Sequence, residues 1–231
     1  MDDIIIVTIK EWNIKNYFML IEKYNKEFNF HLITNQDELT FERIQNIDPK
    51  YIFFPHWSWF IPEDIYHNFE CIVFHMTDLP FGRGGSPLQN LIVREIYDTK
   101  ITALRVDDGL DTGDVYLKEN FDISIGSAEE IFIKLSNKIF ERMIPKFLTS
   151  NLELKKQDGE VTTFKRRTNV ASNLKNIKNK SFIKIYDFIR MLDAEGYPKA
   201  YMEFDNFKIE FSEVHMKNGK LMGRFEVIEN E

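Results

Sequence analysis

The stretch CIVFHMTDLPFGRGGSPLQN, residues 71–90, ends a run of strand-forming residues on a histidine, His75, and then enters a loop with glycines at 82, 84 and 85. An imidazole at the carboxyl end of a buried strand stands where open α/β sheets take their ligands, because loops and helix N-termini converge there. The chemistry it could do is proton transfer. The loop behind it, LPFGRGGSP, has little side chain, which lets a ligand approach its backbone. That loop opens a helix whose N-terminal amides could meet an anionic or polar group. A second stretch, VDDGLDTGDVYL at 106–117, holds Asp111 between Gly109 and Gly113. A carboxylate in such a loop can orient an imidazole and support the charge it acquires. On residues alone, a lone strand-end histidine is more often structural than catalytic, and Asp107, Asp108 and Asp111 also read as turn formers. His, Cys and carboxylates show no metal-ligand spacing, so no metal is expected.

The elements that must position these groups follow from periodicity. Ile4 to Ile9 is a continuous β-branched run, the pattern of a strand buried on both faces. Residues 13–28 carry Tyr17, Phe18, Ile21 and Tyr24 at helical spacing. FNFHLIT, YIFFP, CIVFH and KITALRV read as further strands, and DELTFERIQNI and SPLQNLIVREIY as helices, with Pro87 tolerated in a first turn. SAEEIFIKLSNKIFERMIPKF opens on a capping-box spacing, Ser127 and Glu130, and Pro145 should kink or end that helix. Strands alternating with helices predict an α/β fold with a mainly parallel twisted sheet and helices on both faces. After residue 150 the pattern changes. NLELKKQDGEVTTFKRR reads as a hairpin or extended arm around Asp158-Gly159, IYDFIRMLDAEG as a short helix ending at Gly196, and the rest as an antiparallel meander with turns at Asp205-Asn206 and Asn218-Gly219. The expected division is 1–150, a connecting arm at 151–180, and a small C-terminal α+β appendage at 181–231.

Composition narrows the class. The chain has 231 residues, 43% hydrophobic and 29% charged, which suits a soluble domain with a sizeable core. A single cysteine, Cys71, excludes an internal disulfide framework and fits a cytoplasmic setting. The acidic N-terminus lacks the basic region of a signal peptide, and its apolar run is too short to span a bilayer. The formal net charge is −7, which argues against a general nucleic-acid-binding surface. Residues 151–231 carry 15 basic and 13 acidic groups against 15 and 24 in residues 1–150, an asymmetry well short of a basic groove.

The spacing His75-x-x-x-Leu79-Pro80-x-x-Arg83-Gly84-x-x-Pro87, followed 36 residues after the histidine by Leu110-Asp111-Thr112-Gly113, resembles the signature of the 10-formyltetrahydrofolate-dependent formyltransferases. These include glycinamide ribonucleotide, methionyl-tRNA and nucleotide-sugar members. Ile61-Pro62 and TFKRR at 163–167 add to the likeness, which covers residues 1–167. LDAEGYPKAYMEF at 192–204 resembles the small added domain of some sugar members. The resemblance implies a Rossmann-like formyltransferase fold and formyl transfer from 10-formyltetrahydrofolate to a primary amine. It assigns His75 as general base or relay, with Asp111 supporting it. It puts the pterin against Trp59, Ile61, Arg105, Val106, Asp107, Asp108 and Gly109, and the acceptor near Lys10, Phe81, Arg83, Gly84, Gly85 and Asn90.

One position departs from the family pattern. The usual Asn two residues before the histidine is Val73 here. The resemblance gives that Asn the formyl oxygen to polarise, and losing such a donor costs roughly two to three orders of magnitude in rate. His56, in FFPHWSW, is the preferred replacement, with Ser58, Asn90 and the Gly84-Gly85 amides as alternatives. A water-facing strand-end side chain is an equal reading of His56. For the acceptor, the acidic total and the nearly neutral tail point away from nucleic acid. The expectation is therefore a nucleoside-diphosphate aminosugar, most simply a 4-amino-4,6-dideoxyhexose destined for a lipopolysaccharide or other surface glycan, with no nucleic acid and no membrane among the partners. A homodimer is common among the sugar members. The alternatives are a non-catalytic folate or nucleotide-sugar binder and a methionyl-tRNA formyltransferase-like enzyme with another amine acceptor.

Overall fold

The computed structural model describes residues 1–229. In chain order the elements are β1 Asp2–Val7, α1 Glu11–Tyr24, β2 Phe28–Ile33, α2 Phe41–Ile47, β3 Tyr51–Phe54, α3 Glu63–Tyr66, β4 Cys71–His75, β5 Arg83–Gly84, α4 Pro87–Val93, β6 Asp98–Arg105 and β7 Val115–Asp122. Then come α5 Ala128–Lys138, a π-turn at Ile139–Met143, α6 Ile144–Thr149, β8 Thr163–Phe164, α7 Phe182–Arg190, β9 Ala200–Phe204, β10 Phe207–Lys217 and β11 Lys220–Glu229. The contacts resolve into two compact units. The first holds residues 1–83, 100–121 and 133–163; the second holds residues 84–99, 122–132 and those from Phe164 onward.

The first unit is built on a six-stranded sheet of order β2-β1-β3-β4-β6-β7. Pairing is parallel from β2 through β4 and antiparallel between β4 and β6, where His75 sits opposite Thr102. Ile4 to Val7 have no exposure, as the unbroken β-branched run predicts. α1 buries a face rotated from the predicted one. Phe18 is 56% exposed, while Asn13 and Asn16 are buried. Their amides find partners inside: Asn16 Nδ2 donates to Ser136 Oγ at 2.8 Å, and Asn13 Nδ2 to Thr8 Oγ1 at 2.8 Å and Pro55 O at 3.0 Å. Satisfied amides can occupy core positions that a purely apolar reading gives to Phe.

The capping box forms, with Ser127 N donating to Glu130 Oε2 at 2.8 Å and Glu130 N to Ser127 Oγ at 3.2 Å. The helix does not end at Pro145: α5 runs through the π-turn at Ile139–Met143 into α6, and Pro145 stands just beyond that irregularity. The stretch around Gly159 is an extended arm rather than a hairpin. Its backbone pairs elsewhere, Lys155 with Val115 and Thr162 O with Arg83 N at 3.0 Å.

The second unit carries the antiparallel sheet β11-β10-β9, with a bulge in β10 between Ser212 and His215. α7 starts on Ser181, whose side chain accepts from Lys184 N. Arg190 is almost fully buried and held by Asp187 at 2.6 Å and by the carbonyls of Ile123 and Gly126, each at 3.0 Å. Among the described residues, no helix is long and apolar enough to cross a membrane.

Candidate active site

His75 closes β4, and only 9% of it is exposed. Its Nε2 lies 2.8 Å from Gly82 O. A carbonyl can only accept, so Nε2 carries the hydrogen and Nδ1 is the nitrogen left for proton exchange. Nδ1 stands 3.5 Å from Asp111 Oδ2, whose side chain is 15% exposed. The histidine's loop is tied down on both sides. Gly82 N donates to Thr162 Oγ1 at 2.7 Å, and Thr77 Oγ1 reaches Gly82 O at 3.4 Å. Lys118 holds Asp78 at 2.6 Å and also binds Leu79 O, while Lys100 adds a 2.9 Å pair to Asp78. Burial pushes the Asp78 carboxyl up, but the hydrogen bonds from Lys118 and Lys100 outweigh it and leave the group below its ordinary value.

Asp111 arrives by an indirect route. Because β6 is antiparallel to β4, its loop starts at the far end of β4, where Val106 N donates to Cys71 O at 2.9 Å. Between Val106 and Asp111 the chain runs back to His75. Asp111 adopts a left-handed backbone with φ 56°. Gly113 packs against β6 so closely that a Cβ would stand 1.8 Å from Arg105 O. Gln157 of the arm, which sequence reasoning passed over as part of a turn signal, uses its whole amide here. Nε2 donates to Asp111 O at 2.9 Å and Gly113 O at 2.8 Å, and Oε1 accepts from Arg83 Nε at 3.1 Å and Nη2 at 2.8 Å. The Asp111 loop and Arg83 are thus joined through one side chain.

The winding of the sheet reverses between β1 and β3, because β2 lies on one side of β1 and β3 on the other. In such sheets the crevice opens at the carboxyl ends of those two strands. There Thr8 Oγ1 donates to Pro55 O at 2.9 Å. The next residue, His56, takes a left-handed backbone, φ 56°, and sets its ring edge-on to Trp12 at 6.0 Å. The Lys10 ammonium lies over Trp12 at 5.3 Å. Burial, with help from the Lys10 charge, lowers the His56 pKa to about 4. A neutral imidazole carries one N–H donor.

Trp57, Ile61, Val73 and Val106 are half-buried on one core cluster that includes Phe54 and Cys71. Trp59 packs on Trp57 at 4.8 Å, and the buried Nε1 of Trp57 has no hydrogen-bond partner. In the 105–109 stretch, Arg105 reaches Glu70 at 3.3 Å, and Asp108 takes Tyr66 and His67 at 3.1 and 2.7 Å. Asp107 accepts from Gly109 N at 3.1 Å and Thr112 Oγ1 at 2.5 Å. Asp107 therefore does shape the turn, and the side chain of Thr112 fills the place where a Cβ on Gly109 would stand. Phe81 N closes a turn on Asp78 O at 3.1 Å.

Gly84, Gly85 and Asn90 belong to the second unit. A Cβ on Gly84, φ 105°, would meet Phe164 O at 2.4 Å, and one on Gly85 would meet Arg166 Cβ at 2.8 Å. The close approach these glycines permit is to the chain's own arm. Asn90 Nδ2 bridges the carbonyls of Gly85, Ser86 and Lys165 at 3.0–3.1 Å.

Comparison with known proteins places this geometry. Residues 169–228 match the family model "Methionyl-tRNA formyltransferase, C-terminal domain". A methionyl-tRNA formyltransferase from Nitratiruptor is 30% identical over 159 residues, covering 62% of this chain and 52% of the relative. One from Clostridium perfringens is covered to 62%, so the chain spans half to under two-thirds of these curated relatives. A solved structure of the methionyl-tRNA formyltransferase from Clostridium thermocellum is 52% identical, with 100% of both chains covered and a TM-score of 0.96. A sugar N-formyltransferase from Shewanella is similar in fold, with a TM-score of 0.71 at 13% identity. These relatives overturn two expectations, the aminosugar acceptor and the exclusion of nucleic acid. The physical reason lies in averaging charge. The total is −7, yet residues 161–186 hold seven basic residues and no acidic one, so a basic segment coexists with an acidic sum. With full-length identity above one half to a solved member, and with a histidine and a carboxylate brought together at the expected spacing, the chain belongs to the formyltransferase family.

Proposed function

We propose that the chain moves a formyl group from 10-formyltetrahydrofolate to the α-amino group of methionyl-tRNA. The single observation that carries the acceptor is the 52% identity over both full chains to a methionyl-tRNA formyltransferase. The His75–Asp111 pair supports the chemistry. The folate supplies a formyl group activated toward attack by an amine. The partly buried apolar side chains of Trp57, Ile61, Val73 and Val106, packed on one core cluster, and the unpartnered buried Trp57 Nε1 support a site here for a planar ring with acceptor atoms on its edge.

His75 and Asp111 handle the proton. As the new C–N bond forms and the bond from the formyl carbon to the folate nitrogen breaks, the attacking amine must lose a proton and the departing nitrogen must gain one. Nε2 stays with Gly82 O, so Nδ1 takes the proton, and Asp111 stands 3.5 Å away to stabilise the imidazolium until it gives the proton up. Gln157 keeps the carboxylate's loop in register, and the role of donor to the developing oxyanion falls to His56, two residues beyond the point where Phe54 of β3 pairs with Val73 of β4. The test is direct: purified chain, 10-formyltetrahydrofolate and methionyl-tRNA, with formylmethionine released by hydrolysis and quantified. Turnover that disappears in His75→Gln supports the reading. No product from a folded wild-type chain sinks it.

A further inference from the structure

The second unit carries a half-open cavity of about 390 Å³, within the range of small-molecule sites. Its walls are apolar, formed by Ile92 and Val93 of α4, Ile177, and Phe188 and Met191 at the end of α7. The charged groups on its lining do not cancel. Asp187 is satisfied by Arg190 Nε and by the Tyr97 hydroxyl, each at 2.6 Å, and Glu95 by Lys184 at 3.0 Å. Both lining carboxylates are thus spoken for, and two cations remain. Arg167 lays its guanidinium over the Phe188 ring at 5.6 Å and donates Nη2 to Ala171 O at 2.6 Å, while its buried Nε has no partner. Lys178 makes no ion pair among the described residues. Withdrawing a guanidinium from water without a carboxylate costs free energy, and burial alone lowers its hold on the proton. The surrounding segment is the one with seven basic and no acidic residues.

We infer that this cavity holds one nucleotide unit, its phosphate against Arg167 and Lys178 and its base among Ile92, Phe188 and Met191. A bare phosphate would leave the apolar walls unused, and an uncharged aromatic would leave both cations unpaired. A nucleotide supplies the anion and the flat ring together. Asn176, whose Nδ2 is taken by Val170 O at 2.9 Å, keeps its side-chain carbonyl for a donor on the base edge. The inference concerns a different unit from the His75–Asp111 pair and does not depend on the reaction proposed for that pair. The same chemistry could come from a free 5′-mononucleotide or from an unstacked nucleotide of an RNA strand.

The experiment titrates the full chain by calorimetry with 5′-AMP, adenosine, inorganic phosphate and a short unstructured oligoribonucleotide. It uses wild type, Lys178→Gln at an exposed position, and Val93→Trp, which fills the mouth. Arg167→Gln is added with its melting temperature recorded. AMP should bind at least about tenfold more tightly than adenosine or phosphate. Lys178→Gln and Val93→Trp should each weaken it several-fold with unchanged melting, and salt should weaken it further. If only the oligoribonucleotide binds, with the same sensitivity to both variants, the site is assigned to an RNA strand. Phosphate binding as well as AMP, binding untouched by both variants, or no binding of any probe at millimolar concentration would each overturn the inference.

Discussion

His75 Nδ1 and Asp111 Oδ2 stand 3.5 Å apart, while Gly82 O fixes the opposite nitrogen of the same ring. That spacing is longer than a hydrogen bond, and catalytic contacts of this kind commonly tighten when substrate binds. His75→Gln removes the proton acceptor and should lower kcat by about two to four orders of magnitude. Asp111→Asn keeps a residue that tolerates the left-handed backbone and should lower kcat with little change in folding. Formylation assays beside circular dichroism check both. Near wild-type turnover in His75→Gln would remove the imidazole from the mechanism.

Gln157 satisfies two carbonyls of the Asp111 loop and two N–H groups of Arg83. Gln157→Leu preserves approximate volume but leaves these groups unpaired in a partly buried place. At roughly 1 kcal/mol for each of these four hydrogen bonds, the loss is about 4 kcal/mol, equivalent to a melting temperature lower by roughly 8–16 °C. The carboxylate would also lose its register, so kcat should fall about tenfold while KM moves little. A variant with lowered melting and intact kcat would make Gln157 a structural clip only.

These two residues mark how far the sequence could be read. The closeness of His75 and Asp111 was legible through the family resemblance, which pairs them at that spacing, and strand periodicity put His75 at the end of β4. The route of the Asp111 loop was not legible. Nothing in KITALRV distinguishes a parallel strand from an antiparallel one, since both are buried and β-branched. Gln157 was hidden because a glutamine beside Asp158-Gly159 reads as part of a turn, and its four partners are 44 to 74 residues away. The acceptor was misjudged because net charge averages over surfaces, while RNA would meet only one of them.

Glycine substitutions separate strain from collision. A Cβ on Gly219 would meet nothing within 4 Å, so Gly219→Ala bears only the cost of a left-handed backbone, φ 70°, about 1–2 kcal/mol. Gly113→Ala would drive its Cβ to 1.8 Å from Arg105 O, a backbone atom that cannot step aside. The Asp111 loop must then lift. Gly113→Ala should lose most formylation activity, whereas Gly219→Ala should lower the melting temperature by a few degrees and leave kcat unchanged. Equal activity in the two variants would show that the loop position does not matter to the chemistry.

His56 sets a pH signature for folding. Burial lowers its pKa to about 4 from an ordinary 6.5, so between those values the unfolded chain binds the proton and the folded chain does not. Stability from this residue is therefore complete above pH 6.5, falls as pH drops, and is exhausted near pH 4. The full span is roughly 3 kcal/mol. Asp3, kept below its ordinary value by the hydrogen bond from His31, and Asp78, kept low by Lys118 and Lys100, lose their contributions further down, as pH falls through their own depressed values. The two effects occupy different windows. His56→Asn retains the left-handed backbone and removes the titrating ring. Urea unfolding at pH 7, 5.5 and 4.5 should show wild type losing stability across that interval and His56→Asn losing markedly less. Parallel curves for the two proteins would mean that His56 is already hydrated and protonated in the folded chain, and an imidazolium there could not be the neutral donor proposed for the oxyanion.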